Sequence, residues 1–167
     1  GGAGKVLAQW MNDGVPPQDL WDVDIRGNQK FQGNRQYLHD RVTEGLGLLY
    51  AMHWPYRQFA TARGVRKSVL HDRLAKKNAC FGEIAGWERP NFYAADKASA
   101  TYQYSWFRQN WFNYSAEEHH AVRNNLGLFD QSSFAKFLIQ GSDAEQVLNH
   151  ICANNVAVPP GKIVYTQ

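Results

Sequence analysis

Apolar positions along the chain fall into short periodic stretches separated by glycine, proline and polar clusters, and each period predicts an element. Val6, Leu7, Trp10 and Met11 share one helical face, Gly14 suits the carboxyl cap, and Pro16-Pro17 stop that helix. An acidic connection with Asp19, Asp22 and Asp24 follows. Asn34 can then cap a longer helix with a buried stripe of Leu38, Val42, Gly45 or Leu46, and Leu49, ending before Pro55. Ser68 opens a brief helix through Leu74, and Ala79 to Trp87 has the apolar, glycine-punctuated character of a strand and turn. The small polar run 94–101 marks a soft boundary, because such a composition packs weakly.

The last third is more sharply punctuated. Ser115 with Glu118 forms a capping box, Val122 and Leu126 continue the apolar stripe, and Gly127 closes the helix. Leu128 to Asp130 and Phe134 to Ile139 read as strands, and Gly141 turns the chain. Ser142 with Glu145 makes a second capping box ahead of Val147, Leu148 and Ile151. Pro159-Pro160-Gly161 precedes a final strand, Ile163-Val164-Tyr165. This succession predicts a mixed α/β (α+β) fold whose sheet is completed by residues outside the chain. With no initiator Met and a last strand that stops as it begins, the chain is expected to be an internal fragment.

Composition narrows the function classes. A chain of 167 residues that is 44% hydrophobic and 14% aromatic can bury a core, so disorder is excluded. The 18 basic residues are scattered against 15 acidic ones, which argues against a nucleic acid partner. Cys80 and Cys152 belong to no metal or redox spacing and read as free thiols in a reducing interior. No stretch approaches the ~20 apolar residues of a membrane span and no signal peptide opens the chain, so a soluble protein without membrane contact is expected.

Candidate chemistry begins at the glycine-rich opening, Gly1-Gly2-Ala3-Gly4, which leads directly into a helix. A helix start offers free N–H groups and about half a positive charge, and so receives an anion. A phosphate loop at Gly4-Lys5 is disfavoured because Val6 stands where a magnesium-binding hydroxyl is needed. The edge of a reduced flavin and a plain packing loop both remain. His119 and His120, beside Glu117 and Glu118, read as a solvated helix face and not as metal ligands. His53, held between a helix end and Pro55, reads as a structural imidazole ahead of a proton shuttle. Glu88 and Arg89 read as a partly buried pair that fixes the fold.

The stretches GGAGKVLAQW, PPQDLWDVDIRG, ARGVRKSVLHDRL, FGEIAGWERPNFY, LGLFDQSSFAKFLIQG and PPGKIVYTQ, in this order, resemble the dimethylglycine and sarcosine dehydrogenase family. The resemblance spans nearly the whole chain. It implies an FAD domain that oxidises the N-methyl group of a glycine derivative, hydride passing to the flavin to leave an iminium. It further implies a domain similar to the glycine-cleavage aminomethyltransferase, which binds tetrahydrofolate and captures the one-carbon unit. On that reading residues 1–28 close the FAD domain, 29–100 form its central region and 101–167 open the folate domain.

Site residues follow from the same resemblance. Gly1, Gly2, Ala3 and Gly4 match the loop and helix start beside the flavin ring; Phe134 matches an apolar position against the pterin; Tyr165 matches a folate-lining position in some relatives. The dinucleotide fingerprint and the flavin-attachment histidine are expected before Gly1, so the fragment alone should be inactive. Expected partners are a methylated amine substrate and an electron acceptor, for which an electron-transfer flavoprotein and molecular oxygen are both compatible. The location is expected to be cytoplasmic in a bacterium and the mitochondrial matrix in a eukaryote. Two alternatives stand beside this reading: a noncatalytic relative of the pyruvate dehydrogenase phosphatase regulatory subunit type, and a stand-alone folate-dependent aminomethyltransferase, against which the motifs before residue 101 count.

Overall fold

The computed structural model describes residues 2–51 and 57–167; Gly1 and His53 lie outside the described residues. In chain order the elements are helix α1 (Gly2–Asp13), three single 3-10 turns (Trp21–Val23, Ile25–Gly27, Lys30–Gly33), α2 (Arg35–Leu48), α3 (His71–Ala75), strands β1 (Ala79–Ile84) and β2 (Trp87–Tyr93), α4 (Phe112–Asn124) and α5 (Ala144–Ile151). Helices with a small sheet agree with the mixed class expected. Two compact units result, one running through Ser133 and the other Phe134–Gln167.

Local signals hold where one side chain decides the geometry. Gly14 ends α1 at φ +72°, its N–H donating to the Trp10 carbonyl at 2.9 Å, a conformation that favours glycine. The Asn34 side-chain oxygen accepts from the Gln36 and Tyr37 amides at 3.0 and 3.1 Å, satisfying two orphan donors of α2. Between β1 and β2 the two-residue loop Ala85-Gly86 has φ +48° and +82°, the doubly positive geometry whose twist matches an antiparallel hairpin.

Other expectations are corrected. The opening glycines are helical from Gly2, so they form the first turn of α1 and not a loop before it. The Ser68 hydroxyl accepts from the Leu70 amide at 3.2 Å, but the helix starts only at His71, because the chain first makes a tight serine turn. Ser115 sits inside α4, whose N-cap is Trp111, and the Glu118 carboxylate accepts from the Tyr93 amide of β2 at 2.8 Å instead of closing a capping box. That helix ends at Asn124, before Gly127. Similarly, the Ser142 hydroxyl turns to the Asp143 carboxylate at 2.9 Å, and no side chain caps α5.

The segments 128–130, 134–139 and 163–165 are not strands; the sheet of the described residues has two strands, β1 and β2. A strand exists through a ladder of N–H and C=O groups on a neighbour, and among the described residues that ladder is formed by β1 and β2. Conversely, β2 runs six residues beyond the expected end at Trp87. It accommodates Pro90 beside a bulge, where Cys80 pairs with Phe92 but Phe81 pairs with Pro90.

The core of the first unit is built on this hairpin. Phe92 is 1% exposed, stacks on Tyr114 at 5.9 Å and Trp111 at 6.2 Å, and meets Tyr102 edge-on at 5.9 Å. Cys80 and Ala94 complete the buried cluster, and Ala100 packs against it. Of the run 94–101, Ala94 and Ala100 reach this core, while 95–98 and Thr101 are exposed. Burial pushes the Cys80 thiol up and the Tyr102 phenol up to about 12, so both stay protonated near neutral pH.

Candidate functional site

Residues 57–66 form a strap laid along the hairpin. The Arg66 amide donates to the Gly86 carbonyl and the Glu88 amide to the Arg66 carbonyl, each at 2.9 Å, and the Arg66 guanidinium lies 4.4 Å over the Trp87 ring. Gln58 joins two neighbours: its amide donates to the Tyr104 hydroxyl at 2.8 Å, and its side-chain oxygen accepts from the Glu83 amide at 2.9 Å.

Three carboxylates hold the strap. From α2, Glu44 accepts from the Ala60 and Thr61 amides at 2.8 Å and from the Thr61 hydroxyl at 2.5 Å. From β1, Glu83 pairs with Arg41 of α2 at 2.8 Å, both side chains 10% exposed, and the Arg41 guanidinium lies 4.5 Å over Phe59. From β2, Glu88 accepts from Arg63 Nε at 2.9 Å, from Arg63 Nη2 at 2.5 Å and from the Gly64 amide at 2.6 Å. The expected pairing of Glu88 with Arg89 is therefore corrected: adjacent strand residues point to opposite faces, and the inward carboxylate meets Arg63.

Burial alone would raise both Glu44 and Glu88. For Glu44 the Thr61 hydroxyl and the two strap amides outweigh it, and for Glu88 the Arg63 guanidinium and the Gly64 amide do, so both carboxyls lie below the ordinary range. Held ionised, neither has a proton to donate near neutrality, and each is engaged by the strap. The network positions elements. Among the described residues no group of three or more His, Cys, Asp or Glu could hold a metal ion, and no helix is long and apolar enough to cross a membrane.

The residues expected to touch cofactors lie apart from this network. Gly2, Ala3 and Gly4 form the exposed first turn of α1, which carries no acidic residue, and a Cβ added at Gly2 or Gly4 would meet nothing within 4 Å. That open, amide-rich end fits the edge of a flat, electron-rich ring. Phe134 and Tyr165 both belong to the second unit. Phe134 is 53% exposed; Tyr165 is exposed, and its carbonyl accepts from the Asn154 side chain at 2.6 Å. In the first unit a cleft of about 590 Å³ is lined by Asn28, Gln29, Lys30, Tyr37, Arg41 and Phe59, among others.

Sequence reading singled out Glu88 but missed Arg41, Glu44, Arg63 and Glu83. Their signal was available in part: charged residues within otherwise apolar and glycine-rich motifs, ARG and FGEIAGWER, are placed where a solvated charge is out of character.

Comparison with known proteins matches residues 13–68 to the FAD dependent oxidoreductase central domain and residues 70–167 to the GCVT N-terminal domain. The chain is 49% identical over 165 residues to a protein of Paenarthrobacter nicotinovorans named 4-methylaminobutanoate oxidase (formaldehyde-forming), covering 99% of this chain and 20% of that one. It is 35% identical over 155 residues to rat mitochondrial dimethylglycine dehydrogenase, covering 92% of the chain and 18% of the relative. It is 34% identical over 171 residues to the mouse mitochondrial pyruvate dehydrogenase phosphatase regulatory subunit, covering 99% and 20%. The chain thus spans about a fifth of the length of the curated relatives it matches.

Proposed function

Since the chain belongs to the dimethylglycine and sarcosine dehydrogenase family, we propose that it is part of a flavoenzyme that oxidatively demethylates an N-methylated amino acid and passes the one-carbon unit to tetrahydrofolate. The observation that carries this reading is the order of the two matched families along one chain, an FAD-enzyme central domain running directly into an aminomethyltransferase-like domain. Neither half alone would need the other. The N-methylated amino acid as substrate class is taken from the names of the relatives, 4-methylaminobutanoate oxidase and dimethylglycine dehydrogenase.

Bound FAD supplies the hydride acceptor for the N-methyl C–H bond. The residues of this chain bind and orient. The first-turn amides of α1, at Gly2, Ala3 and Gly4, direct donors and the positive end of the helix toward negative charge, and the two glycines let a planar ring approach the backbone closely. Phe134 and Tyr165, both exposed, are the positions of this chain that would line the pterin. The strap network keeps α2 and the β1-β2 hairpin in fixed register, so that the matched families meet through ion pairs and not through a loose linker.

The resemblance to the phosphatase regulatory subunit supports a second, noncatalytic reading. The absorbance spectrum of the complete purified polypeptide separates the two. A flavoenzyme is yellow, and Gly4→Asp should weaken its hold on FAD by placing a negative charge at the helix end. A colourless protein that takes up no added FAD sinks the flavoenzyme reading.

A further inference from the structure

Helix α2 is anchored by the wrong side for an amphipathic helix. Arg41 and Glu44 face the strap and are tied to Glu83 and to residues 60–61, whereas Leu38, Val42, Leu46 and Leu49, spaced three or four residues apart, stand in solvent. Val42 is 55% exposed and Leu46 61% exposed. Gly45 lies within this stripe, and a Cβ added there would meet nothing within 4 Å, so a second backbone has room to approach. Arg35, Gln36, His39 and Thr43 already give α2 an exposed polar side, so the apolar stripe is a separate face, beside the anchored one, left mostly in water.

We infer that the Leu38-Val42-Leu46-Leu49 face of α2 is an interface covered by a segment of the same polypeptide lying outside residues 1–167. This rests on the proposed function only in taking the chain as part of a longer protein. Two observations favour that occupant over a second copy of the chain. The chain spans about a fifth of its curated relatives, which leaves four-fifths of a polypeptide to supply a cover. And the exposed apolar side chains of the first unit are not confined to this stripe: Leu7 and Met11 of α1 are open too. A slice of a larger core looks like this, whereas an isologous dimer uses a single patch.

The test uses the complete polypeptide. Thiols are placed singly by Val42→Cys on the stripe and Thr43→Cys beside it on the same turn, and alkylation is followed peptide by peptide in the mass spectrometer. The Val42→Cys site should react at least about tenfold more slowly than the Thr43→Cys site, since reaction then waits on local opening. A photocrosslinker at residue 42 should join to residues outside 1–167 of the same molecule, unchanged on dilution. Equal alkylation rates, or a crosslink to another copy that disappears on dilution, overturns the inference. Neither readout depends on flavin, so a colourless protein with a protected stripe would sink the proposed function while leaving this interface standing.

Discussion

Removing the Glu88 carboxylate should unfold the first unit more than removing any exposed charge. Glu88→Ala deletes three acceptor bonds at once, two from Arg63 and one from the Gly64 amide. It strands a guanidinium whose side chain is only 28% exposed. Arg63 keeps its bonds to the Phe81 carbonyl at 3.0 Å and the Phe59 carbonyl at 3.2 Å, so the loss belongs at the lower end for a broken buried pair, about 3 kcal/mol. At about 2–4 °C per kcal/mol, the melting temperature should fall by roughly 6–12 °C. Glu88→Gln keeps an acceptor for Gly64 and should cost about half as much. The double variant Arg63→Leu with Glu88→Leu should lose less than the sum of its singles, because no uncompensated charge remains. Urea unfolding followed by tryptophan fluorescence reads all of these. A Glu88→Ala loss below about 1 kcal/mol, the worth of an exposed pair, would refute the view that this ion pair holds the strap.

Three further outcomes follow from the same geometry. Gly86→Ala places a Cβ 2.5 Å from the Phe31 ring at a φ of +82°, and should cost about 1–3 kcal/mol by thermal unfolding; a neutral result would contradict the hairpin geometry. Glu44 and Glu88 have folded pKa values below their unfolded ones, so their contribution is complete above the unfolded value of about 4.3 and drains as pH falls through the folded values. Stability measured from pH 7 downward should therefore fall steeply only below about pH 4.5, and Glu88→Gln should flatten that fall. Cys80, buried with its thiol pushed up, should resist a thiol reagent until the protein unfolds, while Cys152 reacts first; simultaneous reaction of both would contradict the core described.

What the sequence made legible was whatever one residue settles with its immediate neighbours. Asn34 caps α2, Gly14 ends α1, and the Ala79–Ile84 strand leads into a turn. Errors begin where the deciding partner is distant. Periodicity predicted a buried stripe from Leu38 to Leu49 on α2, but Leu38, Val42, Leu46 and Leu49 are exposed, and Arg41 and Glu44 took the internal contacts through partners 17 to 42 residues away, at Thr61 and Glu83. Ser115 and Glu118 have the spacing of a capping box, yet the Tyr93 amide of β2 competes for the same carboxylate and takes it. Segments 134–139 and 163–165 carry a strand's composition but are not part of the two-stranded sheet. The site follows the same rule: Glu88 drew notice as a charge inside an aromatic motif, but Arg63, which answers it from 25 residues upstream, could be found only in three dimensions.

The most direct test of the central claim is an anaerobic titration of the complete polypeptide with N-methylated amino acids, 4-methylaminobutanoate, dimethylglycine and sarcosine among them. The account predicts that at least one bleaches the flavin band stoichiometrically, and that in air the released one-carbon unit shifts from formaldehyde to methylenetetrahydrofolate when tetrahydrofolate is supplied. A flavin band that none of these compounds bleaches would contradict it.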